Sequence, residues 1–130
     1  MFCFTKLQLW LAFYPPSMNK RSQGKEGEEI ALQAYLEEWY SLVERNFTIR
    51  GGEIDLIVEN AEHLHFVEVK VVDSIDDLHN YITSAKLKHI TKTIQRYLHT
   101  HPTTKTIQID IVFVQQGSIL EIYRNVTLYN

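Results

Sequence analysis

Three acids and a lysine stand in apolar runs where ionisable groups are costly. Glu68 and Lys70 lie within Leu64 to Val72 (LHFVEVKVV), a Val-rich run that reads as a strand buried on both sides. Charged residues in such a strand mark either a site or an ion pair, and a Glu68–Lys70 pair at a sheet edge is the plainer alternative. Strand alternation puts Glu68 and Lys70 on one face and Val67, Val69 and Val71 on the other. Asp55 belongs to a second strand, Glu53 to Val58 (EIDLIV), and the polar residues Glu59 to His63 suit the hairpin loop between the two. With that loop symmetric about Ala61, Asp55 falls opposite Val67, one step from Glu68. Asp55, Glu68 and Lys70 can then converge if the register turns Asp55 to their face. Glu28 is the third acid. From Gly24 to Trp39 the pattern is helical, and Ala31, Leu32, Tyr35, Leu36, Trp39 and Leu42 point to one side, with Glu28 along the middle of that stripe. A carboxylate there is costly to bury unless paired, protonated or bound to a cation. The alternative is a solvated first-turn Glu favoured by the helix N-terminus.

Charge is unevenly distributed along the chain. Residues 53–77 carry eight acids against one base, Lys70, whereas residues 84–105 hold Lys86, Lys88, Lys92, Arg96 and Lys105 and no acid. An acidic centre beside a basic arm suits a metal-dependent enzyme acting on a polyanion; two solvated faces of opposite sign are the simpler account. The elements that must position these residues follow from periodicity. Leu42 to Ile49 reads as a strand, and Gly51-Gly52 as a turn into Glu53 to Val58. Ser84 to His99 is helical, with Ser84 as N-cap and Pro102 beyond its end. Lys88, Lys92 and Arg96 recur every fourth residue and form one basic stripe. Ile107 to Val114 and Ile119 to Tyr123 complete the sheet. The order α-β-β-β-α-β-β predicts an α/β fold, a mixed sheet flanked by helices with one parallel crossover.

A chain of 130 residues with 45% hydrophobic and 22% charged residues is one soluble-type domain by size and composition. Its single cysteine, Cys3, excludes an intramolecular disulfide and points to a reducing, cytoplasmic setting. The net charge of −3 argues against bulk coating of nucleic acid but leaves a local basic face open. Met1 to Tyr14 is apolar apart from Lys6 and lacks a signal-peptide pattern, and its longest uncharged stretch, Leu7 to Tyr14, is too short to span a bilayer, a peripheral membrane anchor being the alternative. Residues 1–17 read as an extension foreign to a domain that starts at Met18 and covers 18–130, and their removal is expected to leave stability nearly unchanged. His63-x-His65 and His99-x-His101 lack a supporting ligand set.

The run Gly24-Lys-Glu-Gly27-Glu28-Glu-Ile-Ala31, then Glu44-Arg45-Asn46, Gly52-Glu53-Ile54-Asp55-Leu56-Ile57 and Phe66-Val67-Glu68-Val69-Lys70, resembles the bacterial YraN-like family. Ile109-Asp110-Ile111-Val112 fits that family's late strand. The family in turn is similar to the PD-(D/E)XK nucleases, near the archaeal Holliday-junction resolvases. The resemblance implies a restriction-endonuclease-like fold and a Mg²⁺- or Mn²⁺-dependent endonuclease that hydrolyses phosphodiester bonds in DNA, branched or structured DNA included. It further implies that Asp55 and Glu68 bind the metal, that Lys70 is the motif lysine, and that Glu28 is the helical glutamate of the resolvase-like branch. Lys86, Lys88, Lys92, Arg96 and Arg50 are the expected nucleic-acid contacts, and resolvase-type chemistry on two strands would need a homodimer. Two departures stand out. Val72 replaces the Arg usual two residues after the lysine, and Trp39 replaces the Gly usual after the first helix. The alternative is a non-catalytic nucleic-acid-binding or assembly module that retains the fold.

Overall fold

A computed structural model describes residues 19–74 and 78–126. Residues 1–17, and with them Cys3 and the expectation of a foreign extension, lie outside the described residues. The element order is α1 (Lys20–Glu37), β1 (Ser41–Ile49), β2 (Gly52–Glu59), β3 (His63–Val71), α2 (Leu78–Tyr81), α3 (Ser84–Thr100), β4 (Thr106–Gln115) and β5 (Ser118–Tyr123). This is the expected α/β order with one short helix, α2, added in the polar segment after β3. The strands form one sheet in the order β1-β2-β3-β4-β5, antiparallel except for the parallel pair β3–β4. A parallel pair needs a crossover, and α3 supplies it.

The sheet is covered on both faces. Ile30, Ala31, Leu32 and Tyr35 of α1 pack with Leu56, Val58, Val67, Val112 and Val114. Leu87, Ile90, Ile94 and Tyr97 of α3 pack with Ile54, Ile57, Leu64, Phe66, Ile111 and Phe113. The alternation Ile111, Val112, Phe113, Val114 sends successive side chains to opposite clusters, as a central strand covered on both sides requires. Val72 is buried in the α3 cluster, so the position that departs from the family pattern is a core position here and contacts no solvent-borne phosphate.

Local signals fix the helix ends. Asn19 caps α1, its Oδ1 accepting from Ser22 N at 2.9 Å. α1 ends earlier than its apolar stripe suggested: Trp39 N–H donates to Leu36 O and Tyr40 N–H to Tyr35 O, both at 3.1 Å, with Trp39 at φ 67°. That is a Schellman termination with a tryptophan in the left-handed position that glycine prefers. Leu36, Trp39 and Leu42 are consequently exposed rather than packed, Trp39 by 90%. The helix instead buries Glu26 and Gly27 along with its apolar residues. The cap of α3 is Thr83, not Ser84: Thr83 Oγ1 accepts from Lys86 N at 3.1 Å.

Candidate functional site

The hairpin β2–β3 sets the site, and its register differs by one residue from the symmetric expectation. Leu56, not Asp55, pairs with Val67, and the ladder runs from there to Glu59–Leu64. The cause is Asn60. Its backbone N–H donates to His63 O at 3.0 Å, and its Oδ1 accepts from Glu62 N at 3.0 Å and His63 N at 2.7 Å. The side chain closes a tight turn where the sequence pattern suggested a longer loop. Asp55 and Glu68 are therefore the next residues out from the last paired position, on two strands that cease to pair there.

Two irregularities meet at Asp55. Ile54 and Ile57 pack on the α3 side while Leu56 and Val58 pack on the α1 side, so the period of two breaks between Ile54 and Leu56. On β1, Asn46 lies between the paired residues Arg45–Leu56 and Phe47–Ile54 and has φ 51°, a conformation Asn tolerates better than most residues. Asp55 Oδ2 accepts the Val69 backbone N–H at 2.8 Å, a donor on the stretch of β3 that β2 no longer pairs. Asp55 is thus held in the fork between diverging strands, within reach of groups from both helices.

Glu28 approaches from α1 and hydrogen-bonds both Asp55 and Asn46. Burial, then the charges of Asp55 and Glu53, push its carboxyl up to about 7, and the hydrogen bond between the two raises Glu28 while lowering Asp55. Burial also raises Asp55, against the Val69 N–H that favours its ionised form. Glu68 lies on the α3 side, only 4% exposed, and burial followed by the Asp55 charge pushes it up to about 8. Its Oε2 is 3.3 Å from Lys86 Nζ, while its Oε1 is buried without a hydrogen-bond partner. Burial alone would pull the Lys86 ammonium down; Glu68 and Tyr81 outweigh it and hold it high.

Asp55, Glu68, Lys70 and Lys86 line one cavity of about 470 Å³ together with Glu53 and Tyr81. Glu28 is coupled to that cluster through Asp55. Lys70 shares the Glu68 face, as alternation predicts, but it is exposed and stands 5.3 Å from the centre of the Tyr81 ring. Glu68 pairs with Lys86 instead, which is also 5.3 Å from that ring centre. The expectation that Lys86 belongs with the outer basic residues therefore needs revision, since its ammonium faces the acidic centre. Lys88, Lys92, Arg96 and Arg50 are exposed as expected. Arg50, Lys92 and Arg96 line an adjoining cavity of about 530 Å³, whereas Lys88 does not. Sequence alone assigns no role to Asn46, which stands only within the Glu44-Arg45-Asn46 run of the resemblance, and nothing in the pattern marks Tyr81.

Among the described residues, no three His, Cys, Asp or Glu side chains are grouped to hold a metal by themselves. The carboxylates available to a hard cation are Asp55 and Glu68, with Glu28 behind them. His65 does not line the cavity of Asp55 and Glu68: its Nδ1 is 2.7 Å from Oδ2 of buried Asp110, which also accepts from Tyr35 OH at 2.6 Å, and its Nε2 is buried without a hydrogen-bond partner. No described helix is long and apolar enough to cross a membrane.

The chain is 38% identical over 111 residues to a UPF0102 protein of Helicobacter hepaticus, covering 85% of this chain and 99% of the relative. A UPF0102 protein of Wolinella succinogenes is 35% identical over 108 residues, covering 83% and 98%. One from Campylobacter hominis is 36% identical over 96 residues, covering 74% and 86%. The model of the uncharacterised protein family UPF0102 matches residues 27–114, which span Glu28, Asp55, Glu68, Lys70 and Lys86. With its candidate site inside the matched region, the chain belongs to UPF0102, the YraN-like family.

Proposed function

We propose that this protein is a divalent-metal-dependent phosphodiesterase that cleaves DNA. The observation that carries the reading is the buried, unpartnered Oε1 of Glu68 in a cavity that Asp55 also lines. A buried carboxylate oxygen without a partner costs free energy, and a hard cation such as Mg²⁺ or Mn²⁺ is the partner that two neighbouring carboxylates suit, with solvent as the remaining ligands. When bound, such an ion lowers the pKa of a coordinated water and offsets charge on a phosphate. The chain's own groups do the rest. Asp55 and Glu68 would hold the ion, Val69 N–H fixes Asp55, and Glu28 hydrogen-bonds Asp55 from the edge of the cluster. Lys70, exposed on the same face, is free to meet substrate phosphate or orient an attacking water.

The reading is tested by a cleavage panel of single-stranded, duplex, flap and four-way-junction DNA with Mg²⁺ and Mn²⁺. Glu68→Gln keeps size and hydrogen-bonding shape but removes the charge, so cleavage should disappear with the fold intact. Cleavage undiminished in Glu68→Gln would place the chemistry elsewhere. A second reading is a non-catalytic nucleic-acid-binding module. The Lys86–Glu68 ion pair favours it, because an internal cation already neutralises part of the acidic centre. Binding of DNA by the wild type with no cleavage of any substrate would select it.

A further inference from the structure

The cavities on this protein adjoin one another in a charge pattern that the acidic centre alone does not explain. Val69, Lys70 and Tyr81 line both the central cavity and a neighbour that reaches Lys20 and Asp73. On the other side, Gly51 and Gly52 of the central cavity follow directly on Ile49 and Arg50 of the basic one, and Thr93 follows Lys92. The basic cavity holds Arg50, Lys92 and Arg96 and no acid. Gly52 lets the two elements approach: a Cβ there would lie 2.0 Å from Thr93 Oγ1, so β2 starts almost in contact with α3 between the central and the basic cavity. Cations therefore line the cavities next to the carboxylates: Lys20 and Lys70 in one, and Arg50, Lys92 and Arg96 in the other.

From this we infer that the Arg50–Lys92–Arg96 face is a docking surface for the sugar–phosphate backbone of double-stranded DNA, bound without base readout. The argument rests first on sign and spacing. From Lys92 to Arg96 the helix rises about 6 Å, which matches roughly two phosphate steps of one strand of a duplex. It rests next on what is missing among the described residues. Proteins that grip single strands combine a basic groove with rings on which bases stack. The basic cavity offers only the imidazole of His99, and Tyr81, in the central cavity, already faces the ammoniums of Lys70 and Lys86. A surface of cations without stacking platforms reads charge spacing, not bases. With a net charge of −3 on the chain, bulk attraction contributes nothing, so the local cluster must supply the affinity. The inference deepens the phosphodiesterase reading, since it supplies the footing on one side of the carboxylates, but its test does not depend on catalysis.

The test measures fluorescence anisotropy of a labelled duplex and of one of its single strands, in EDTA, between 50 and 200 mM salt. Three phosphate contacts predict a slope of about −2.7 in log K against log salt for the duplex, a loss of about 40-fold across that range. The combined variant Arg50→Gln, Lys92→Gln, Arg96→Gln should be nearly salt-independent and bind at least 10-fold more weakly at 50 mM, with an unchanged circular dichroism spectrum and melting curve. An unchanged slope in that variant, single strands bound as tightly as duplex, or no duplex binding by the wild type would each overturn the surface. Cleavage in Mg²⁺ is scored separately. Salt-dependent binding lost in the triple variant, together with no cleavage by the wild type, keeps the docking surface and refutes the phosphodiesterase reading.

Discussion

At the scale of single residues, two lysines stand beside the carboxylates where the sequence motif supplies one. Lys70 occupies the motif position, yet Glu68 pairs with Lys86 at 3.3 Å from a different element. The two should be separable by calorimetry. Lys86→Met removes a positive charge beside the Glu68 carboxylate, so the affinity for Mg²⁺ or Mn²⁺ should rise if Glu68 holds the ion. Lys70→Ala should leave that affinity unchanged and lower turnover, because Lys70 is exposed in the cavity while Glu68 pairs with Lys86. Weaker metal binding in Lys86→Met would mean that this lysine orders Glu68 for the cation rather than competing with it. Asp55 and Glu68 were legible from the sequence because acids in Val-rich strands have few benign explanations. Lys86 was not, because a lysine on a helix with a basic stripe reads as solvent-facing, and only the packing of α3 on the sheet turns it inward.

At the scale of elements, the boundaries follow from local hydrogen bonds that periodicity does not carry. The alternation in β3 and β4 and the apolar spacing of α3 made the element order readable, since each has its own period. The hairpin register was not readable. It depends on the Asn60 side chain closing the turn, and one residue of slip decides whether Asp55 or Leu56 opposes Val67. The C-terminus of α1 offers a sharper test. Trp39 holds a left-handed conformation, which costs an L-residue about 1–2 kcal/mol, and its ring is 90% exposed and offsets little of that. Trp39→Gly should stabilise the protein by about 1 kcal/mol in urea denaturation with an unchanged m-value, part of the relief being returned as entropy of the unfolded chain. A destabilised variant would show that the indole packs against something. At the opposite helix, Thr83→Ala should cost about 1 kcal/mol, the usual worth of an N-cap, and also loosen the turn that carries Lys86.

At the scale of the whole molecule, the sheet carries two buried electrostatic centres with opposite pH behaviour. Burial pushes Asp110 up, but hydrogen bonds from His65, Tyr35 and the Asn125 backbone outweigh it and hold the carboxyl below its ordinary range. A group lowered on folding contributes stability that is present above its unfolded pKa and is lost as pH falls through the folded value. This network therefore supports the fold at neutral pH and fails in acid. Glu28 and Glu68 run the other way, lifted to about 7 and about 8. The folded chain keeps protons that the unfolded chain has released above about 4.3, so stability falls as pH rises from about 5 to about 8. The two trends place the maximum of stability on the mildly acidic side in the absence of metal. Thermal unfolding in EDTA should show a melting temperature that declines from pH 5.5 to pH 8.5. Glu68→Gln should flatten the decline and melt higher than the wild type at pH 8.5, because it removes the charge that burial and Asp55 oppose. Mg²⁺, binding only the folded chain, should raise the melting temperature of the wild type at pH 8.5, where the carboxylates are ionised, and do little for Glu68→Gln. A wild type whose melting temperature is flat over this range would show that the carboxylates are not strained by one another, and the case for a cation between them would lose its physical basis.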